Sequence, residues 1–203
     1  MSTSDAGMFL PLGGAREIGA NSYLLRLDGH DILLDCGVHP KKEGLGAVPD
    51  FSLLDRSPDA AIVSHGHVDH CGALPCLVSR FPHVAAFATA ATVSVIDRML
   101  HNSVKVMESM AVERGIRDYP LYSHDEVDCA IQRMCGEAYE RPFVLKERGD
   151  VTVSLHRAGH VLGGASVLIR SRNHTVFYTG DICAADQELV EGRADIDPSI
   201  AID

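Results

Sequence analysis

The sequence contains no tryptophan, and its five tyrosines and six phenylalanines are few for 203 residues, so no aromatic platform for stacking unpaired bases is evident. Positive charge is also scarce. Eighteen Lys and Arg against 28 Asp and Glu leave a net charge of −10, which excludes a broad basic surface that grips nucleic acid by charge alone. A polyanionic substrate would have to be held locally. No Cys-x-x-Cys pair occurs among Cys36, Cys71, Cys76, Cys129, Cys135 and Cys183, so a zinc ribbon or a thioredoxin-type redox site is not suggested, and the thiols read as reduced. Long apolar runs are missing too. The longest, Val84 to Ile96, is interrupted by Thr89, Thr92 and Ser94 and is too short for a membrane span, and the polar start Met1 to Gly7 leads into no signal-peptide core. A cytoplasmic protein with no membrane partner is expected. With 46% apolar and 23% charged residues, the chain can bury the core of one ordinary domain, which excludes a disordered chain.

Short branched-residue runs fill the first sixty positions: Met8 to Leu12, Ser22 to Leu27, and Asp31 to Asp35, with Asp28-Gly29 as a hairpin turn between the last two. A buried-type strand, Ala60 to Ser64, stops at a histidine cluster, and Gly72 to Arg80 has helical spacing. Apolar positions from Thr89 to Arg114 keep roughly one helical face and Gly115 is placed to end it, which predicts a long amphipathic helix. Ser123 and Glu126 form a capping box for a second helix that should run to about Cys135. Strand patterns return at Val151 to Leu155, Ala165 to Ile169 and Thr175 to Tyr178. Strands, then helices, then strands predict a layered α/β protein with mixed sheets rather than a regular βαβ repeat. The last 23 residues carry seven acids and one base, and Ser199 to Asp203 resembles the beginning of a strand. The expectation is therefore a single domain over 1–203 that forms part of a longer protein.

Eleven histidines are many for this length, and three of them fall in Ser64-His65-Gly66-His67-Val68-Asp69-His70. Imidazole and carboxylate are zinc ligand types, and a loop lets alternate residues converge on one point. His65 and His67 can face one metal while Asp69 and His70 face a second. A two-metal site needs further ligands, including a bridging carboxylate, and His160 and Asp181 stand at the ends of predicted strands. Alone, His160 reads equally as a hydrogen-bonded surface histidine and Asp181 as a turn residue after Gly180. The cluster favours metal binding, because no structural role requires H-x-H-x-D-H.

Asp35 in Leu-Leu-Asp-Cys-Gly, the His65 to His70 cluster, His160 in Ala-Gly-His-Val-Leu-Gly-Gly and Asp181 in Tyr-Thr-Gly-Asp resemble, in order and spacing, the first four motifs of the metallo-β-lactamase fold. Pro11 to Gly19, Leu34 to Pro40, Asp69 to Pro75 and Ala158 to Ala165 resemble the β-CASP ribonucleases of the cleavage-and-polyadenylation type and their prokaryotic relatives. The resemblance covers about residues 8 to 203. It implies the N-terminal part of an αββα sandwich, with the β-CASP cap domain absent from this chain. It also implies RNA phosphodiester hydrolysis by hydroxide activated by two zinc ions, single-stranded RNA as partner, and a homodimer or a β-CASP paralogue as a further partner. By the same resemblance His65, His67 and His160 hold the first zinc, Asp69 and His70 the second, and Asp181 bridges them. Asp69 and Asp181 thus become the catalytic carboxylates, and Asp35 orients a ligand imidazole, though on its own it could cap a turn.

Cys36, Cys71 and Cys183 receive no role from the resemblance and are expected to fill small gaps in the core. Arg16 and Asn21 could touch the site or simply belong to a polar turn. The family's last metal-binding histidine and its general acid lie beyond the cap, and no histidine follows His174 here. A small-molecule hydrolase of the same fold, such as a thioesterase or lactonase, and a non-catalytic scaffold paralogue are the competing readings.

Overall fold

The computed structural model describes residues 7–145 and 150–203; the polar lead-in read at the N-terminus lies, apart from Gly7, outside the described residues. Two sheets face each other. The first has six strands in sequence order, β1 (Met8–Gly13), β2 (Ser22–Leu27), β3 (His30–Leu34), β4 (Ala60–Ile62), β5 (Ala85–Thr89) and β6 (Met134–Glu137), antiparallel up to β3 and parallel from there on. The second runs β10 (Thr175–Tyr178), β9 (Ala165–Arg170), β8 (Thr152–Arg157), β7 (Phe143–Val144), all antiparallel. Asp28 and Gly29, with φ of 48° and 84°, form the two-residue turn between β2 and β3, the left-handed geometry that matches strand twist.

Alternate residues of the first sheet serve two cores, which is why Ile32 to Leu34 of β3 and all of β4 read as unbroken apolar runs. Ile32, Leu34, Ala60 and Ile62 meet Val153, Leu155, Val167 and Ile169 of the second sheet. Leu33, Ala61 and Ala86 point the other way, onto α2 (Leu74–Arg80) through Leu74 and Leu77. Beside them Val63 and Ala88 pack on Ile96, Leu100 and Val104 of α3 (Ala90–Arg114) and Val127 of α4 (His124–Gln132). The described residues therefore build helix, sheet and sheet, three layers of an αββα sandwich. None of these helices is long and apolar enough to cross a membrane.

Two expectations need correction, and one strand was not foreseen. The helix predicted to reach Cys135 ends at Gln132, and Met134–Glu137 instead joins the sheet parallel to β5. Met134 packs against the core there, so its apolar spacing did not distinguish helix from strand. Within the run Val84 to Ile96 a strand, β5, comes first; Thr89 closes it and caps α3, accepting from Thr92 N at 3.1 Å. Residues 199–203 form no strand, and only Asp203 meets β10, through two bonds with the Thr175 backbone at 2.7 and 3.0 Å.

Asp31 at the start of β3 is buried and accepts from Arg26 at 2.6 and 2.7 Å and from Arg56 at 2.8 Å. Burial opposes its ionisation, but the two guanidinium groups outweigh that and hold its carboxyl at about 2. A carboxyl depressed in the folded state contributes stability above its unfolded pKa and loses it as pH falls toward the folded value. Asp31→Asn should thus cost about 2 kcal/mol at neutral pH. In urea melts the gap to the parent protein should narrow as pH drops below about 4; a gap constant down to pH of about 3 would show that charge is not what holds the arginines.

Candidate metal centre

The candidate residues all lie where strands of both sheets end, on one rim of the sandwich. Ser64 to His67 follow β4, and Asp69 and His70 sit on a single helical turn, α1 (Val68–Cys71), rather than on the open loop the sequence suggested. His160 follows β8 and Asp181 follows β10. Backbone bonds fix α1 against the segment after β3: Cys36 N donates to His70 O at 2.8 Å, and Val38 N to Val68 O at 3.0 Å. Ala165 N donates to Ser64 O at 2.8 Å and ties the two sheets together. The loop carrying His160 is held from the other side, where the Thr89 and Thr92 hydroxyls donate to Gly163 O at 2.7 and 2.8 Å. Gly180, at φ 54°, lets the β10 loop approach, since a Cβ there would stand 2.8 Å from that of Ser64.

His65, His67, His160 and Asp181 each aim one ligand-type atom at a common point, all within 4.8 Å of one another. His65 Nε2 lies 3.0 Å from His67 Nδ1, which lies 3.3 Å from His160 Nε2. Ser64 Oγ donates to Asp35 and so offers a lone pair to His65 Nδ1 at 3.0 Å, which leaves the lone pair of His65 on Nε2, facing the cluster. Burial, reinforced by neighbouring His70, pushes His65 down to about 3. His67 is lowered by burial and then by His160. Neutral imidazoles whose lone pairs converge beside a carboxylate repel one another unless a cation lies among them, so this donor set fits a metal such as zinc.

Asp181 stands between two groups. Its Oδ2 is 3.5 Å from His160 Nε2 and 3.9 Å from His65 Nε2, and its Oδ1 is 3.6 Å from His70 Nε2. Asp69 Oδ2 is 3.8 Å from the same His70 atom. A second ion would be held on this side, by Asp69, His70 and Asp181.

Asp35 is the hub beneath both groups. It sits at φ 58°, fully buried, and accepts from Ser64 N at 2.7 Å, Ser64 Oγ at 2.9 Å, His70 Nδ1 at 2.7 Å and Tyr178 OH at 2.5 Å. Four donors make it far more than a turn cap. Burial disfavours the charged form of His70, yet the hydrogen bond and charge of Asp35, joined by the charges of Asp69 and Asp181, together outweigh this and raise its pKa. The same bond holds the proton on Nδ1 and turns the Nε2 lone pair toward Asp69 and Asp181.

Asn21 belongs to the site: its Nδ2 lies 3.0 Å from His70 Nε2 and 3.1 Å from Asp69 O, and Tyr23 OH donates to its Oδ1 at 2.9 Å. Arg16 is on an exposed loop, and none of the hydrogen bonds among the described residues ties it to the rim. Cys36 and Cys71 fill the core as expected, but Cys183 lies outside it, with its Sγ on Ala185 O at 3.5 Å. Sequence reasoning assigned nothing to Ser64 or Tyr178. Their positions, one before His65 and three before Asp181, were the only signals for them.

Residues 15–129 match the model of the metallo-beta-lactamase superfamily. The chain belongs to this superfamily. As a metallo-beta-lactamase superfamily chain it is similar to Cleavage and polyadenylation specificity factor 73 of Drosophila melanogaster, 31% identical over 88% of this chain and 25% of that protein. It is also similar to Ribonuclease TTHA0252 of Thermus thermophilus, 29% identical over 94% of this chain and 40% of the relative. "Probable RNase MJ4" of Methanocaldococcus jannaschii is 34% identical over 89% of this chain and 40% of its own. The chain spans between 22% and 40% of the length of the curated relatives it matches. Among solved structures, the metallo-beta-lactamase fold protein YhfI of Bacillus subtilis covers 86% of the chain with a TM-score of 0.51 at 18% identity, over 62% of its own length, which is a likeness of fold.

Proposed function

We propose that this superfamily chain carries the metal-binding part of a ribonuclease that hydrolyses phosphodiester bonds of single-stranded RNA. The convergence of His65, His67, His160 and Asp181 on one point, in a chain whose relatives are named as ribonucleases and endoribonucleases, is the observation that supports it. In this reading His65, His67 and His160 hold one zinc, Asp69 and His70 a second, and Asp181 serves both. Asp35 keeps the His70 proton on Nδ1 through their 2.7 Å contact, and Ser64 does the same for His65 at 3.0 Å, so that each ring presents a lone pair. When bound, the ions make hydroxide available near neutral pH and offset charge on the phosphoryl oxygen. That local positive charge lets a chain of net charge −10 meet a polyanion. Residues 1–203 would form the metallo-β-lactamase-like domain, with a β-CASP cap, the last metal-binding histidine and the general acid supplied by the remaining length of the full protein. We place it in the cytoplasm, as a homodimer or paired with a β-CASP paralogue.

Elemental analysis and RNA cleavage test this together. After mild chelation the parent protein should retain zinc, and a His65→Ala, His67→Ala variant should not retain it at this centre. A protein spanning the full length of the relatives should cleave labelled single-stranded RNA, leaving 5′-phosphate and 3′-hydroxyl ends, while the 203-residue chain alone cleaves little. Turnover of a thioester or lactone with no action on RNA would replace this reading by a small-molecule hydrolase, and no turnover of any of them by a scaffold.

A further inference from the structure

A second pair of histidines meets on the helical layer, apart from the rim. His101, midway along α3, and His124, the first residue of α4, bring their Nδ1 atoms to 2.7 Å. Each is followed or preceded one turn away by an acid on the same helix: Asp97 four residues before His101, and Asp128 four residues after His124. His101 Nε2 faces both, 3.4 Å from Asp97 Oδ1 and 3.3 Å from Asp128 Oδ1. The ring centroids are 4.9 Å apart with a 24° interplanar angle. Two nearly parallel rings with nitrogens this close meet edge to edge, with their lone-pair directions opposed.

Two facing imidazole nitrogens repel unless a proton or a metal cation lies between them. The carboxylates decide how the proton is distributed on His101. They accept from its Nε2–H and so leave the Nδ1 lone pair pointing at His124, the arrangement by which a carboxylate fixes a metal-ligating histidine. His124 turns its own Nδ1 toward that lone pair, 2.7 Å away. Its Nδ1–H is then the one proton between the rings, and a shift of that proton to Nε2 converts the pair into two neutral ligands. Below the pair, Ile96, Leu100, Val104 and Val127 pack α3 on α4, so the two helices are held in place while the half-exposed rings turn.

We propose that His101 and His124 form a second metal site, for one borderline divalent cation of the zinc, nickel or copper class, that clasps α3 to α4 with Asp97 and Asp128 orienting His101. Such metals accept imidazole nitrogen, and water completes their coordination. Binding moves the shared proton from His124 Nδ1 to its Nε2 with no net release, and the rings must part slightly to admit the ion.

The proposal is independent of the ribonuclease reading and is tested in a His65→Ala, His67→Ala, Asp181→Ala background, which removes ligands of both proposed ion sites at the rim. Equilibrium dialysis of the full chain against zinc should show residual uptake. His124→Gln or His101→Gln added to this background should abolish it, and Asp128→Asn should weaken it about 10 to 100-fold. Zinc should raise the melting temperature of the background protein, through binding to the folded state, and not that of the His124→Gln derivative. Melting curves in chelator that coincide for all variants would show that lost uptake is not lost folding. If one histidine variant melts early, the other carries the comparison from the opposite helix. Residual uptake that survives both histidine substitutions, or no residual uptake at all, would overturn the proposal and leave a shared proton as the whole interaction.

Discussion

Asp35→Ala should destabilise this protein by about 3 to 5 kcal/mol, the range seen when one partner of a buried charged network is removed. The substitution leaves Ser64 N, Ser64 Oγ, His70 Nδ1 and Tyr178 OH without their shared acceptor, and each stranded buried donor costs about 1 to 3 kcal/mol before the site relaxes. From the sequence alone Asp35 was expected only to orient one imidazole. The structure makes it the acceptor that ties the end of β3 to the loop after β4, to α1 and to β10. Tyr178→Phe removes a single donor and leaves the other three in place, so it should cost only about 1 kcal/mol. Urea midpoints for the two variants measure the difference. Similar midpoints would mean that water enters and satisfies the stranded groups, and that Asp35 acts through orientation alone.

The second large effect concerns Asp181 in the proposed full-length ribonuclease. Its two oxygens reach the His65 and His160 group on one side and His70 on the other, at 3.5 to 3.9 Å. Removing the carboxylate deprives both proposed ion sites at once. Asp181→Ala should abolish cleavage and lower zinc content, whereas Tyr178→Phe, two hydrogen bonds from the nearest ligand through Asp35, should lower activity by about 10 to 100-fold at most. Cleavage rates and elemental analysis of the same preparations give the ordering. Equal and mild effects would identify Asp181 as a turn residue after Gly180 and misassign the bridging carboxylate.

Much of the site was legible because its residues are rare in combination. His65, His67, Asp69 and His70 fall within six positions, and Asp35, His160 and Asp181 each follow an apolar run that reads as a strand. Asn21 was visible only as a polar residue in a glycine-rich entry. Its place against His70 depends on the backbone bond from Asn21 N to Asp69 O, 2.9 Å across 48 positions, and no local pattern encodes that. Ser64 and Tyr178 were missed for the same reason: a hydroxyl in a strand end has many uses, and its partner is chosen by the fold.

The elements divide in the same way. The helix α3, with Thr89 as cap and Gly115 in the left-handed conformation at φ 67°, and the β2–β3 hairpin with its Asp28-Gly29 turn follow from spacing and turn chemistry within a few residues. The strand Met134–Glu137 does not, since its apolar residue fits a helix face as well as a sheet, and it becomes a strand because Arg133 O accepts from Ala86 N at 2.9 Å and β5 offers a free edge. The sequence by itself thus brought out a cluster of ligand-type side chains that have no cheaper structural use and, through periodicity, most of the helical and extended segments. Only the tertiary structure decided that β3, β4, β8 and β10 end on one rim, that Asp35 gathers four donors there, and that His101 meets His124. Those outcomes rest on contacts between residues far apart in the chain, whose closure is driven by burial of both faces of the central sheet rather than by any local preference.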